Sequence, residues 1–162
     1  MTTPVTSKKK VFEQFAVEIR KHTCTKHTAD TRCNVIRFIN NNPMIINTTN
    51  ARGVDKTGRS ALVTAATYGD LLTCKLLIEK HKVNVNDRDT DGETALGAAF
   101  FNGINAQFSK VKEKYGKLIN YLLNKGANRE DAELEGIIIP AEIQQAIAIA
   151  KIKKTEEKKT KS

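Results

Sequence analysis

Four residues near the N-terminus carry the side chains best suited to chemistry. His22, Cys24, His27 and Cys33 lie close together in the chain, and thiolate and imidazole are the usual ligands of zinc. Their spacing does not suit that use. One residue separates the first pair and two the second, and no second Cys-x-x-Cys completes a site. Cys24 with His22 or His27 has the makings of a nucleophile and base, but no third group is placed to orient the base. Glu130, Asp131, Glu133 and Glu135 form an acidic run. It reads as a solvated helix start, where carboxylates answer the helix dipole, rather than as a cation site. Phosphate-loop, dinucleotide, zinc-protease and serine-hydrolase motifs do not occur. The expectation is a protein that is not an enzyme, with no catalytic residues, no metal and no cofactor.

The composition fits that expectation. The chain has 162 residues, 40% hydrophobic and 28% charged, enough for one domain with its own core. No apolar run approaches the ~20 residues that cross a bilayer. The N-terminus has no apolar h-region, so no secretory signal is expected. Three scattered cysteines suit a reducing compartment better than a disulfide framework. The net charge is +9, of which Lys8–Lys10 and residues 151–162 hold +7, leaving +2 for residues 11–150. A basic chain invites thoughts of nucleic acid, but the body is nearly neutral. The lysine-rich ends read as solvated: a flexible arm over 1–10 and a disordered tail over 155–162.

The elements that position any surface are helices. Val11, Phe12, Phe15, Ala16 and Ile19 keep helical spacing, as do Cys33, Val35, Ile36, Phe38 and Ile39 before Asn40-Asn41-Asn42-Pro43 stops the second run. Two later stretches align at an offset of 34 residues. Asp55-x-x-Gly58-x-Ser60-Ala-Leu62 matches Asp89-x-x-Gly92-x-Thr94-Ala-Leu96, each followed by small residues, Ala65-Ala66 and Ala98-Ala99, then by Gly69 or Gly103. Asp-x-x-Gly makes a tight turn, Ser60 or Thr94 starts a short helix, and Gly69 and Gly126 suit helix ends. Leu76-Leu77-Ile78 and Leu118, Ile119, Leu122 and Leu123 mark a second helix in each unit. Such pairs bury their apolar faces only by stacking.

These stretches resemble the ankyrin repeat over residues ~50–128. The resemblance implies an all-α solenoid of about four helix pairs, with clear repeats at about 55–86 and 89–128. Degenerate caps are expected at 11–50 and 130–154, making 11–154 one domain. The family's Pro and His are missing: Ala61 and Val63 stand in one unit, Ala95 and Gly97 in the other. His81 stands where a glycine usually ends the second helix. Ala65 to Leu76 spans 11 positions and Ala98 to Leu122 spans 24, an insertion of 13 residues over roughly 102–116. Phe108, Val111 and Tyr115 keep helical spacing within it, so a lengthened helix or a projecting loop is expected.

By resemblance, the chain is a protein–protein interaction module, a monomer that grips an unidentified partner. The turn tips Lys56, Thr57, Arg59, Arg88, Thr90, Asp91 and Glu93 and the helix-face positions Thr67, Tyr68, Phe100 and Phe101 would bind it. The polar C-terminal tail is similar to the unstructured signals of bacterial type IV secretion substrates. That suggests an effector acting in host cytoplasm; otherwise a cytoplasmic protein is expected. The alternative is an electrostatic binder of nucleic acid or anionic lipid through the lysine-rich ends.

Overall fold

Ser60 and Thr94 set the register of the molecule. In the computed structural model, which describes residues 5–24, 29–46, 59–132 and 139–160, Ser60 Oγ accepts from the Val63 amide and Thr94 Oγ1 from the Gly97 amide, both at 3.2 Å. Each hydroxyl satisfies an amide that the first helical turn leaves without a partner, so both helices begin one residue later: α3 at Ala61–Thr67 and α5 at Ala95–Asn105. Before them come α1 (Val5–Cys24), α2 (Ala29–Asn41) and a 3₁₀ turn, Pro43–Ile45. After α3, α4 (Leu71–Lys75) runs into a π-helical turn, Leu76–Lys80. After α5 come α6 (Ser109–Asn124), a 3₁₀ turn at Arg129–Ala132, and α7 (Ala141–Thr160). Among the described residues there is no strand.

The helices form two rows. In the first, α1 packs on α3 and α3 on α5. In the second, α4 packs on α6 and α6 on α7. Ala61, Ala65, Ala66, Ala95, Ala98 and Ala99 are all buried, and their small side chains let α3 and α5 lie close. Phe15 and Phe38 stack at 6.2 Å and join α1 to α2. The core runs without a break through Ile19, Leu62, Leu96, Leu118, Leu122 and Ile143. There are thus three helix pairs and a partial fourth unit. In that unit the first-row place beside α5 is taken, among the described residues, by the Arg129–Ala132 turn, and α7 takes the second-row place. Gly116 lets α7 come close: a Cβ there would lie 3.0 Å from the Glu142 carbonyl oxygen.

Three differences from expectation have physical causes. First, α1 starts at Val5 and α7 continues to Thr160, so helix occupies much of the expected arm and tail. Lysine is a good helix former, and both segments extend a helix already anchored by packing. Second, the extra length of the third unit is ten residues rather than 13. Helix α5 has 11 residues against seven in α3, and α6 has 16 against ten for α4 with its π turn. Both helices are lengthened, and Gly103, expected near a helix end, lies inside α5. Third, the left-handed residue that ends the second helix of the first clear unit is Lys82 (φ +58), not His81 (φ −96). The π turn absorbs one residue and moves the helix end along, with the His81 amide reaching the Leu76 carbonyl. Lys82 occupies the place of Gly126 (φ +91) in the next unit.

That last difference gives a prediction. A non-glycine residue in the left-handed region costs about 1 kcal/mol. Lys82→Gly should therefore raise the thermal midpoint by about 2–4 °C, read by circular dichroism. His81→Gly should lower it, because glycine weakens a position with ordinary helical φ. The opposite pattern would put the helix end at His81.

Candidate partner-binding surface

The turn tips are built by carboxylates that bind their own loops. Asp89 Oδ1 accepts from the amides of Asp91 and Glu93, both at 2.9 Å, and Gly92, at φ +81, closes the turn. Thr90 and Asp91 are left exposed at the tip. Arg59, Arg88 and Glu93 are tied into the stack. Arg88 donates to the Gly92 carbonyl and to Asp131 Oδ1, both at 2.8 Å. Arg59 reaches Glu93 at 3.7 Å. Burial pushes the Glu93 carboxyl above the usual carboxylate range, against the pull of Arg59. Lys56 and Thr57 lie outside the described residues.

Asp131 belongs to the acidic run expected to be a solvated helix start. It is instead a mostly buried partner of Arg88, in a 3₁₀ turn packed on α5. The expectation missed Asn86. Its Oδ1 accepts from the Asn128 amide at 2.7 Å and its Nδ2 donates to the Gly126 carbonyl at 3.0 Å, lacing two successive units. The signal was present in Val83-Asn84-Val85-Asn86, an extended link whose Asn side chains lie within reach of the next turn.

On the helix face, Thr67 and Tyr68 are half-buried. Thr67 Oγ1 donates to the Val63 carbonyl at 2.9 Å. The Tyr68 hydroxyl accepts from Arg20 at 3.4 Å, and the guanidinium also lies over the ring, 5.8 Å from its centroid. Phe101 is 59% exposed, whereas Phe100 is 1% exposed. The expectation that Phe100 faces a partner is therefore corrected: it is a core residue. Carried strictly at an offset of 34, Phe100 stands in the place of buried Ala66 and Phe101 in that of Thr67. Pairing Ala98-Ala99 with Ala65-Ala66 slips this register by one residue, and one residue turns a helix by about 100°.

The lengthened α5–α6 pair has its own anchors. Tyr115 enters the space left by two glycines. A Cβ on Gly69 would lie 3.1 Å from its Cε1, and one on Gly103 would lie 3.0 Å from its Cβ. Its hydroxyl donates to the Thr67 carbonyl at 2.6 Å, and Lys114 Nζ donates to the Tyr68 carbonyl at 2.8 Å. Burial pushes the Tyr115 phenol up to about 12. Beyond these anchors Phe108 is 70% exposed and Val111 37%.

The second row is knit by Tyr121, which donates to Glu79 Oε1 at 3.1 Å and sits against Lys75 and Lys125. Cys74 is buried, and burial pushes its thiol well above the ordinary range. The His22–Cys33 cluster lies outside the side chains described. Among the described residues no group of three or more His, Cys, Asp or Glu converges, and no helix is long and apolar enough to cross a membrane.

No curated protein and no solved structure matches the chain. The family model described as ankyrin repeats (3 copies) matches residues 22–132. Those residues hold helices α2 to α6, the Asp-x-x-Gly turn and the Ser60 and Thr94 caps described above. The chain belongs to the ankyrin-repeat family, whose repeats generally mediate protein–protein interaction.

Proposed function

We propose that the chain is a non-enzymatic module that captures a protein partner across the exposed side of its first-row helices and the adjoining turn tips. The observation that carries this reading is Phe101. It is 59% exposed on α5, beside buried Phe100, in the unit whose turn tip carries exposed Thr90 and Asp91. Large aromatics with charge nearby are the usual anchors of protein interfaces. Arg59, Arg88 and Glu93 hold the turns in place and contribute less directly. Tyr68 and Thr67 supply the half-buried neighbouring unit of the same face. The effector setting rests only on the composition of the polar C-terminal tail, which is helical to Thr160.

The test is affinity capture from eukaryotic lysate, comparing the chain with Asp91→Lys/Phe101→Ser. Both positions are exposed, so circular dichroism and melting should be unchanged. A partner held by the unaltered chain should lose about tenfold or more in affinity for the double variant. Equal capture by a correctly folded double variant would remove the site from this face.

A further inference from the structure

We infer that the lengthened α5–α6 pair forms a step that seats an acidic, apolar-anchored segment of the protein partner. This inference rests on the reading of the chain as an interaction module. It places the contact away from the turn tips, at the opposite end of the helix pair.

The step follows from helix lengths. Helix α6 has six residues more than α4 with its π turn, and α5 has four more than α3. At 1.5 Å per residue the third unit overhangs the second by about 6–9 Å. The apolar stripe of α6 runs Tyr115, Leu118, Ile119 and Leu122, all buried. Continued backwards by one turn, the same stripe reaches Val111; Phe108 stands just before the helix, as its N-cap residue on extended backbone. There the neighbouring unit has ended, because α3 stops at Thr67. A face with the composition of core thus emerges into solvent, 37% exposed at Val111 and 70% at Phe108.

The inner corner of the step is a groove of about 370 Å³, between the start of α4 and the first half of α6. Leu71 and Leu72 line one side; Lys110, Lys114 and Lys117 line the other. The acidic groups there are already engaged. Asp70 is buried and accepts from the Thr73 amide and hydroxyl, and Glu113 is held by Lys117 at 2.6 Å. Lys114 is itself bound to the Tyr68 carbonyl and Lys117 to Glu113, so the three lysines exceed the two carboxylates by one positive charge, beside an apolar stripe. Carboxylates flanking a large apolar side chain are its complement.

The probe is a displayed library of random 16-residue peptides, selected on the full chain. We expect enriched peptides that combine Asp or Glu with Leu, Phe or Trp. Their affinity should fall about tenfold or more with Phe108→Ser, and several-fold with Lys110→Glu or with added salt. Both substitutions lie at exposed positions, so the fold should survive, as helical circular dichroism checks. Selected peptides that ignore Phe108→Ser but are lost with Phe101→Ser would overturn this step while sustaining the proposed function. Failure to enrich any acidic peptide would overturn it as well, with lysate capture deciding separately on the module. Binding to phosphatidylcholine–phosphatidylserine vesicles that is lost with Phe108→Ser would also overturn it, since the stripe would then serve a membrane surface.

Discussion

Phe100→Ala is expected to destabilise the protein by about 3–5 kcal/mol, while Phe101→Ala, one residue along, should change stability by less than about 0.5 kcal/mol. The contrast comes from burial alone. Phe100 is 1% exposed and Phe101 59%. Phe100 takes the place that Ala66 fills in the preceding unit, at the same offset that pairs Thr94 with Ser60. Truncation there removes the transfer free energy of a buried aromatic ring and leaves a void that alanine-rich neighbours on α3 and α5 cannot collapse to fill. At about 2–4 °C per kcal/mol for a chain of this size, the midpoint should fall by roughly 10 °C. Urea titrations of both variants, followed by circular dichroism, check the pair. A large loss for Phe101→Ala with none for Phe100→Ala would mean that α5 is rotated by one residue from the arrangement described. Equal small losses would mean that α5 does not pack on α3.

What the sequence made legible is what depends on local chemistry at fixed spacing. Asp-x-x-Gly, the Ser60 and Thr94 caps, and Gly69 and Gly126 as left-handed helix ends are each decided within a few residues, so a 34-residue offset exposes them. Helical spacing in the insertion was also legible through Phe108, Val111 and Tyr115. Features set by tertiary contact were not. The π turn at Leu76–Lys80 has no composition of its own, so the helix end was expected at His81 instead of Lys82. The slip that put Phe100 on the surface arose because Ala98-Ala99 looks like Ala65-Ala66, although Thr64 rather than Ala65 is the residue that Ala98 replaces. The site divided in the same way. Exposure of Asp91 and Phe101 followed from repeat register, but the pairing of Arg59 with Glu93 and of Arg88 with Asp131 depends on neighbouring turns meeting in space. The step at the α5–α6 pair needed the lengths of four helices to be compared at once.

The tightest surroundings among the described glycines supply the second large effect, at Gly103. A Cβ added there would lie 2.6 Å from Ile143 Cδ1 and 3.0 Å from Tyr115 Cβ. Ile143 offers the end of a flexible chain, but it is fully buried. Tyr115 offers its stem, and the far end of that ring is held by the Thr67 carbonyl and flanked by Gly69. Neither neighbour has free room. Gly103→Ala therefore sets two terms against each other. Alanine gains about 1 kcal/mol of helix propensity in the interior of α5, and overpacking costs about 1–3 kcal/mol. A net loss of about 0–2 kcal/mol is expected. Gly103→Val adds two further carbons and a β-branch to the same space, and should lose about 3 kcal/mol or more. Ile143→Val, which removes the atom lying nearest, should cost about 0.5–1.5 kcal/mol alone. Combined with Gly103→Ala it should cost less than the sum of the two, because each change relieves the other. Urea titration of the four corners of this cycle gives the coupling directly. Strict additivity would show that the two side chains do not meet. Helix α7 would then be seated on α6 without closing onto α5 at Gly103.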